Sequence, residues 1–359
     1  MRVLCVVGTR PNIVKMAPVI AALRRRFPDW RIASVHTGQH YDRLMSDVFL
    51  EELDVPEPDH VLGVGSGSHA EQIARVLERA RPVLAAEEPD LVLVPGDVNS
   101  TLGAALCAGK MGVAVGHVES GLRSFDRSMP EETNRIATDH LSALCFLHCQ
   151  EAIENLRAEG VGEERMKFVG NTMIDSLVAL EPLVRERGAA GSLGLEPGGY
   201  LLVTLHRPAL VDGLLLPDAM AALSEVAREL PVVFPVHPRT RKMLGGRDYP
   251  GVKLTDPLGY LDFLSLESDA AAVLTDSGGI QEETTYLGTP CFTLRENTER
   301  PVTIRSGTNT LLGLDPARIT EIPELLRDGA GGGRAGSSQR PELWDGRAAE
   351  RVADVLADW

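Results

Sequence analysis

Val273-Leu-Thr-Asp-Ser-Gly-Gly-Ile-Gln-Glu-Glu283 runs from a β-rich apolar stretch through a glycine turn into the start of a helix. Such a turn aims backbone N–H groups and the positive end of the helix dipole at an anion. Gly278 and Gly279 let phosphate oxygens approach the backbone. Glu283, about a turn further on, is placed to accept hydrogen bonds from ribose hydroxyls. A Ser-Gly-Gly turn by itself serves equally as a tight helix entry. The strong strand before it and Glu282-Glu283 after it favour a ligand.

The same rhythm extends in both directions. Val3 to Val7, Arg31 to His36, Leu91 to Val94 and Val113 to Val118 read as buried strands, with helix-like stretches such as Lys15 to Arg26 and Glu71 to Ala86 between them. The pattern restarts after Gly170-Asn-Thr172 with Tyr200 to Leu205, Val232 to Val236, Ala271 to Leu274 and Cys291 to Leu294. Alternation of this kind predicts parallel, doubly wound sheets. The 359 residues are too many for one ordinary core and suit two domains with a cleft between them. The expected division is 1–170, joined by a C-terminal helix over 346–359, and 171–345. Asp328-Gly-Ala-Gly-Gly-Gly-Arg-Ala-Gly-Ser-Ser338 reads as a surface loop before a helical stretch from Trp344 to Trp359.

Composition narrows the function. A hydrophobic fraction of 43% with 24% charged residues is that of a soluble globular protein. A formal charge of −15 opposes general nucleic-acid or anionic-membrane binding, so an anionic substrate must be met by local cations. The five cysteines are odd in number and dispersed in apolar runs, which suits reduced core thiols and a cytoplasmic location. The N-terminus reads as a strand, with no signal peptide and no membrane span.

Open α/β sheets bind ligands at the carboxyl ends of their strands. Gly8-Thr-Arg-Pro11 follows the first strand and brings Arg10 and Lys15, two cations for a diphosphate or sugar; Arg24-Arg-Arg26 reads as solvated charge. Three carboxylates fall near further strand ends: Asp97 in Pro95-Gly-Asp-Val-Asn-Ser-Thr101, Glu119 in His117-Val-Glu-Ser-Gly-Leu-Arg123, and Glu131 in Met129-Pro-Glu-Glu-Thr-Asn-Arg135. Carboxylates gathered in one site push their pKa values apart, so that one acts as acid while another acts as base. Glu132 reads as a cap or ion pair in a helix first turn begun by Pro130. His206 and His237 follow strands of the second half and, with Ser277, make a ligand shell. His140, Cys145, His148 and Cys149 do not make a metal site: Leu144-Cys-Phe-Leu-His-Cys149 reads as a strand with alternating faces. Gly63-Val-Gly-Ser-Gly-Ser68 misplaces the third glycine of a dinucleotide fingerprint, and no nicotinamide or ATP motif is recognisable.

With Gly8-Thr-Arg-Pro-Asn-Ile-Val-Lys15, Thr37-Gly-Gln-His40, Gly96-Asp97, His117-Val-Glu-Ser-Gly-Leu-Arg-Ser124, Pro130-Glu-Glu-Thr-Asn-Arg135, Gly170-Asn-Thr172, His206-Arg207 and Asp276-Ser-Gly-Gly-Ile-Gln-Glu-Glu283 in order, the chain resembles the bacterial non-hydrolysing UDP-N-acetylglucosamine 2-epimerases over nearly its full length. The resemblance implies the GT-B architecture of two Rossmann-like doubly wound domains with a cleft between them, a homodimer, and interconversion of UDP-GlcNAc and UDP-ManNAc without a cofactor. It puts Asp97, Glu119 and Glu131 at acid/base positions and His206 beside the departing diphosphate. It makes Arg10, His237, Ser277, Gly278, Gly279 and Glu283 contacts to UDP, with Lys15 near the sugar or phosphate. It also puts Gln39-His40 in an allosteric substrate site. Pro208-Ala-Leu210 departs from relatives that carry Glu or Asn soon after His-Arg.

Chemistry points the same way. The C2–H of a GlcNAc ring is not beside a carbonyl, so an epimerase must oxidise a neighbouring carbon or expel the C1 leaving group. Without a nicotinamide motif the second route remains: UDP is eliminated to give 2-acetamidoglucal, a proton returns to the other face, and UDP re-adds. That needs a base, an acid and a clamp on UDP. A hydrolysing 2-epimerase releasing ManNAc and UDP, and a GT-B glycosyltransferase, are the alternatives.

Overall fold

The computed structural model describes residues 1–38, 56–329 and 340–359. The Gln39-His40 segment and most of the glycine-rich 328–338 stretch lie outside them. The described chain forms two compact units, Met1–Ala179 with Glu342–Trp359, and Leu180–Pro341.

Unit 1 is built on a seven-stranded parallel sheet in the order β3-β2-β1-β4-β5-β6-β7. The strands are β1 Arg2–Val7, β2 Arg31–His36, β3 His60–Val61, β4 Leu91–Pro95, β5 Ala114–Ser120, β6 Leu144–Leu147 and β7 Met166–Phe168. The longer helices of this unit are α1 Arg10–Arg26, α2 His69–Glu87, α3 Asn99–Lys110, α4 Pro130–Leu141, α5 Gln150–Ala158 and α6 Thr172–Arg187. β4 is buried at every position and β1 at all but its first, because helices cover both faces of a parallel sheet and its strands read as continuous apolar runs. One face of β1 and β4, Leu4, Val6, Val92 and Val94, packs with Val76, Ala80 and Leu84 of α2 and Ala104, Ala105 and Ala108 of α3. Ser68 starts α2 with a capping box, its hydroxyl accepting from Glu71 N while Glu71 accepts from Ser68 N.

Unit 2 has a six-stranded parallel sheet in the order β10-β9-β8-β11-β12-β13, with β8 Leu201–Thr204, β9 Val232–Pro235, β10 Val252–Thr255, β11 Ala272–Thr275, β12 Cys291–Thr293 and β13 Asn309–Leu311. Four of its helices matter below: α7 Leu215–Val226, α8 Pro238–Leu244, α9 Tyr260–Asp269 and α10 Gly278–Leu287. Leu201, Val203, Phe234, Leu274 and Phe292 form one face of its core with Leu216, Met220 and Leu223 of α7. Both units are the doubly wound α/β sheets expected. In each, the chain leaves in one direction and then returns to the opposite side of its first strand, which puts a topological switch point between β1 and β4 and another between β8 and β11.

Three expectations shift. The last helix, α11, is Ala348–Ala357 rather than 346–359, because Asp175 Oδ1 and Oδ2 accept from Ala348 N at 3.0 Å and Ala349 N at 2.6 Å and fix where the helix begins. Trp344 therefore lies outside it, fully buried, with its indole N–H donating to the His148 carbonyl at 2.8 Å. The same contacts hold the first turns of α6 to unit 1, so the chain changes unit after Ala179 rather than near residue 170. The Arg24-Arg-Arg26 triple is also more than solvated charge: Arg25 pairs with Glu350 and Arg26 with Asp354, both on α11.

Candidate active site

Of the residues singled out, Arg10, Lys15, Asp97 and Glu119 lie around the first switch point and His206, Ser277, Gly278 and Gly279 at the second, whereas His237 follows β9, on the other side of β8. In unit 1, Arg10 opens α1 directly after β1, and Thr9 precedes it as a helix cap that makes no side-chain capping bond. Asn12 Oδ1 accepts from Gly8 N at 3.2 Å while its Nδ2 donates to the Pro95 carbonyl at 3.3 Å, tying the end of β1 to the end of β4. Lys15, one turn on, is buried and forms an ion pair with the buried Glu119 at the end of β5. Gly96 sits among them with φ +62°; a Cβ there would lie 3.2 Å from Lys15 Nζ, 3.5 Å from Asn12 Nδ2 and 3.6 Å from Glu119 Oε2. The ends of three strands thus converge on the residue beside Asp97.

Asp97 is partly exposed. Arg135 Nη1 donates to its Oδ2 at 2.5 Å, and Asn134 Nδ2 donates to its carbonyl at 2.9 Å. Arg135 is 1% exposed and also donates to Glu132 Oε2 at 2.6 Å. Glu132 accepts from Ser124 N and Phe125 N, each at 2.9 Å, the structural role expected of it. Burial pushes the Glu132 carboxyl up, and the Ser124 and Arg135 bonds outweigh this and hold it below the usual carboxylate range. Glu131 stands in the first turn of α4, four residues before Arg135 and so on the same helix face. Glu119 has φ +67° and sits at an irregularity in the β5–β6 pairing. A non-glycine residue in that region carries strain. Behind this group, His117 Nε2 lies 2.6 Å from the Gly96 carbonyl and Nδ1 2.6 Å from the buried Asp139.

In unit 2, Asp276 directly follows β11 and reaches across to the residues after β8. Its Oδ2 accepts from His206 N at 2.8 Å and Arg207 N at 2.7 Å, and its Oδ1 lies 3.0 Å from His206 Nδ1. Burial raises the Asp276 carboxyl, but its contacts with His206 and the two N–H donors prevail and lower it. The His206 ring is held in place yet 45% exposed. Ser277 is the N-cap of α10 without using its side chain as a cap, and the helix begins directly after β11, beside the switch point. Gly279 is the second residue of that helix. Gly278 has a further reason to be glycine: a Cβ there would meet Glu299 Oε1 at 2.7 Å and the Arg300 guanidinium. Glu283, in the second turn of the helix, is buried and accepts from the Tyr260 hydroxyl at 2.6 Å. His237 is exposed at the end of β9, where its Nδ1 accepts from Arg239 N at 3.3 Å as the cap of α8.

Several polar residues of these regions were not among the expected ones. Under the glycine turn, Glu299 pairs with Arg295 at 2.7 Å and with Arg300, whose Nε lies 3.2 Å from Glu282. Gln281 donates to the Ser277 carbonyl at 3.0 Å and accepts from Thr298 and Asn309 at 2.7 and 2.9 Å. The signal was present in Arg295-Glu-Asn-Thr-Glu-Arg300, a charged run directly after a buried strand. Arg135, His117 and Asp139 lie inside or beside quoted motifs, but only the fold reveals their partners. Among the described residues, no group of three or more metal-ligating side chains occurs, and no helix is long and apolar enough to cross a membrane.

Comparison with known proteins gives this geometry a family. The sequence profile described as UDP-N-acetylglucosamine 2-epimerase matches residues 22–357. The chain is 40% identical to the UDP-N-acetylglucosamine 2-epimerase of Methanocaldococcus jannaschii, over 99% of both chains. It is 39% identical to the UDP-2,3-diacetamido-2,3-dideoxy-D-glucuronate 2-epimerase of Pseudomonas aeruginosa, again over 99% of each. Its structure resembles that of M. jannaschii UDP-GlcNAc 2-epimerase in complex with UDP-GlcNAc and UDP, with a TM-score of 0.88 at 36% identity and full coverage of both chains. The profile, the relatives and the structural likeness agree, and the chain belongs to the UDP-N-acetylglucosamine 2-epimerase family.

Proposed function

We propose that this enzyme reversibly inverts C2 of UDP-GlcNAc, giving UDP-ManNAc, by eliminating UDP and adding it back. One carboxylate among Asp97, Glu119 and Glu131 takes the C2 proton as the C1–O bond breaks and the electron pair leaves with UDP. The product of that step is 2-acetamidoglucal. A second group delivers a proton to the opposite face of C2, and UDP re-adds at C1, so that atoms and charge balance over the cycle. The observation that carries the reading is the convergence of Lys15, Asn12 and Glu119 on Gly96, beside an Asp97 held by Arg135. A buried cation–carboxylate pair next to a second fixed carboxylate is apparatus for moving a proton.

UDP belongs to the other unit in this reading. Ser277, Gly278 and Gly279 take the diphosphate at the start of α10, and His206, fixed by Asp276, meets the charge that grows on the leaving group. Glu283 takes the ribose, and Arg10, Lys15 and His237 complete the substrate contacts. We place the enzyme in the cytoplasm as a homodimer; the five buried free cysteines suit a reducing compartment.

Turnover of UDP-GlcNAc in deuterated water tests the route: UDP-ManNAc must carry deuterium at C2. Unlabelled product, or a requirement for added nicotinamide, overturns it. Accumulation of free UDP with ManNAc would assign the hydrolysing reaction instead. Since one relative is a 2-epimerase of a diacetamido glucuronate, the assay takes both nucleotide sugars, and the reading stands only if UDP-GlcNAc is turned over.

A further inference from the structure

Glu283 faces a second buried carboxyl, contributed by the neighbouring helix α9. Glu267, near the end of α9, is 0% exposed, and among the described residues neither of its carboxyl oxygens meets a hydrogen-bond donor. Its side chain lies against that of Glu283, wholly within the protein. Tyr260, two turns earlier on the same helix, donates to Glu283 Oε1 at 2.6 Å. The other titratable groups facing the pair are Glu282, itself beside Arg300, and the buried Cys291. Among the described residues, no cation directly compensates the two carboxyls. Two adjoining buried carboxyls cannot both be ionised, so the pair retains a proton and uses it as the bond between them.

Resting on the assignment of Glu283 to the ribose, we infer that Glu267 is a positioning residue, a protonated carboxyl that donates to Glu283 and keeps it an acceptor for the ribose diol. Glu267 and Tyr260 then grip Glu283 from one helix. A carboxylate accepts from both ribose hydroxyls, whereas a carboxylic acid spends one oxygen as a donor. Burial raises Glu283 to about 7, with Tyr260 and Glu267 opposing that rise through their hydrogen bonds and Glu282 adding to it; Glu267 itself is held well above the usual range, by burial first and by Glu283 second. Nucleotide affinity must therefore fall on the acid side of neutrality, where Glu283 takes up a proton.

The test is UDP binding by calorimetry between pH 6 and 9, with the parent, Glu267→Gln and Glu267→Leu. Ionisation of the UDP phosphate is common to all three proteins and cancels in the comparison. Gln retains an N–H donor toward Glu283, so its acid limb should stay within about half a pH unit of the parent's. Leu removes the donor and should move the limb upward by about one pH unit or more, at least about a fivefold loss of affinity at pH 7 that is largely recovered near pH 9. 2′,3′-Dideoxy-UDP, without the diol, should show no such separation. Glu267→Met serves in the same way if the Leu protein does not fold. A loss of equal factor at every pH, an unmoved limb in the apolar variants, or a Gln variant that behaves as Leu, overturns the role of Glu267 alone. A parent that does not bind UDP overturns this role and the proposed function together.

Discussion

The most consequential pair is Lys15 with Glu119. Both are buried, and a buried ion pair adds little stability relative to an apolar pair, while removing one partner is costly. Glu119 in addition holds a backbone angle that favours glycine. Such expense is expected at a site where a charge must be held ready for reaction. Glu119→Gln should lower kcat by about 10²–10⁴-fold, the usual worth of a positioned acid or base. It should also destabilise unit 1 by about 3 kcal/mol or more, because the Lys15 ammonium stays buried without its counter-charge. Adding Lys15→Met to Glu119→Gln should recover much of that stability and none of the activity. Urea unfolding of the three proteins, set beside their kcat values, checks both statements; a double variant less stable than the single one would contradict the ion-pair account. The motif positions of Lys15 and Glu119 were legible in the sequence. That they neutralise each other was not, since nothing local joins residues so far apart.

At the scale of elements, α4 serves as a bracket. Its first turn carries Glu131, its second Arg135, and Arg135 joins Asp97 on the β4 loop to Glu132, which holds the Ser124-Phe125 backbone. Arg135→Met should release Asp97 and lower kcat at least tenfold while leaving the dissociation constant for UDP within about twofold, because the turn proposed for the diphosphate, Ser277-Gly-Gly279, belongs to the other unit. Parallel kinetics and calorimetry decide this, and equal losses in both would remove the bracket from the argument. The diphosphate turn calls for the converse. In Gly278→Ala the new methyl would press on Glu299 and Arg300, so affinity for UDP should fall at least tenfold and stability should fall with it.

These two elements also show what could be read beforehand. Strand and helix positions followed from apolar runs and from the residues that start helices, Pro130 and the Ser277-Gly-Gly279 turn among them. The start of α11 did not, because its capping partner, Asp175, is 173 positions away and nothing in Trp344 to Arg347 announces it. In the same way Glu132 could be assigned to support from its place after Pro130, whereas Arg135 and Glu267 gained meaning only once α4 met the β4 loop and α9 met α10.

On the scale of the molecule, buried carboxyls of opposite tendency shape how stability varies with pH. Burial raises Asp139, but the His117 ring, Arg123 and Ser120 outweigh it and bring it down to about 2. Its contribution is present above the ordinary carboxylate range and is lost as pH falls toward 2. Asp175 goes the other way: burial pushes it up to about 6 against the Ala349 and Ala348 N–H bonds. Its stabilising share is whole below the ordinary value near 3.8 and is lost as pH rises through 6. Both residues belong to unit 1, as do all three tryptophans, Trp30, Trp344 and Trp359, so tryptophan fluorescence follows the unit that these groups govern. Unit 1 should therefore be most resistant to urea near pH 4, losing stability below it through Asp139 and above it through Asp175. Asp175→Asn should be less stable than the parent at pH 5, where it lacks one acceptor for the two N–H groups that begin α11. Between pH 5 and 8 it should gain on the parent by about 1.4 kcal/mol, since the parent alone must then hold a buried charge. A stability difference that does not change between pH 5 and 8 would show that Asp175 is not the group through which alkaline conditions loosen the docking of α11. That docking joins the two ends of the chain, and its weakening should expose Trp344 before the central strands of unit 1 give way.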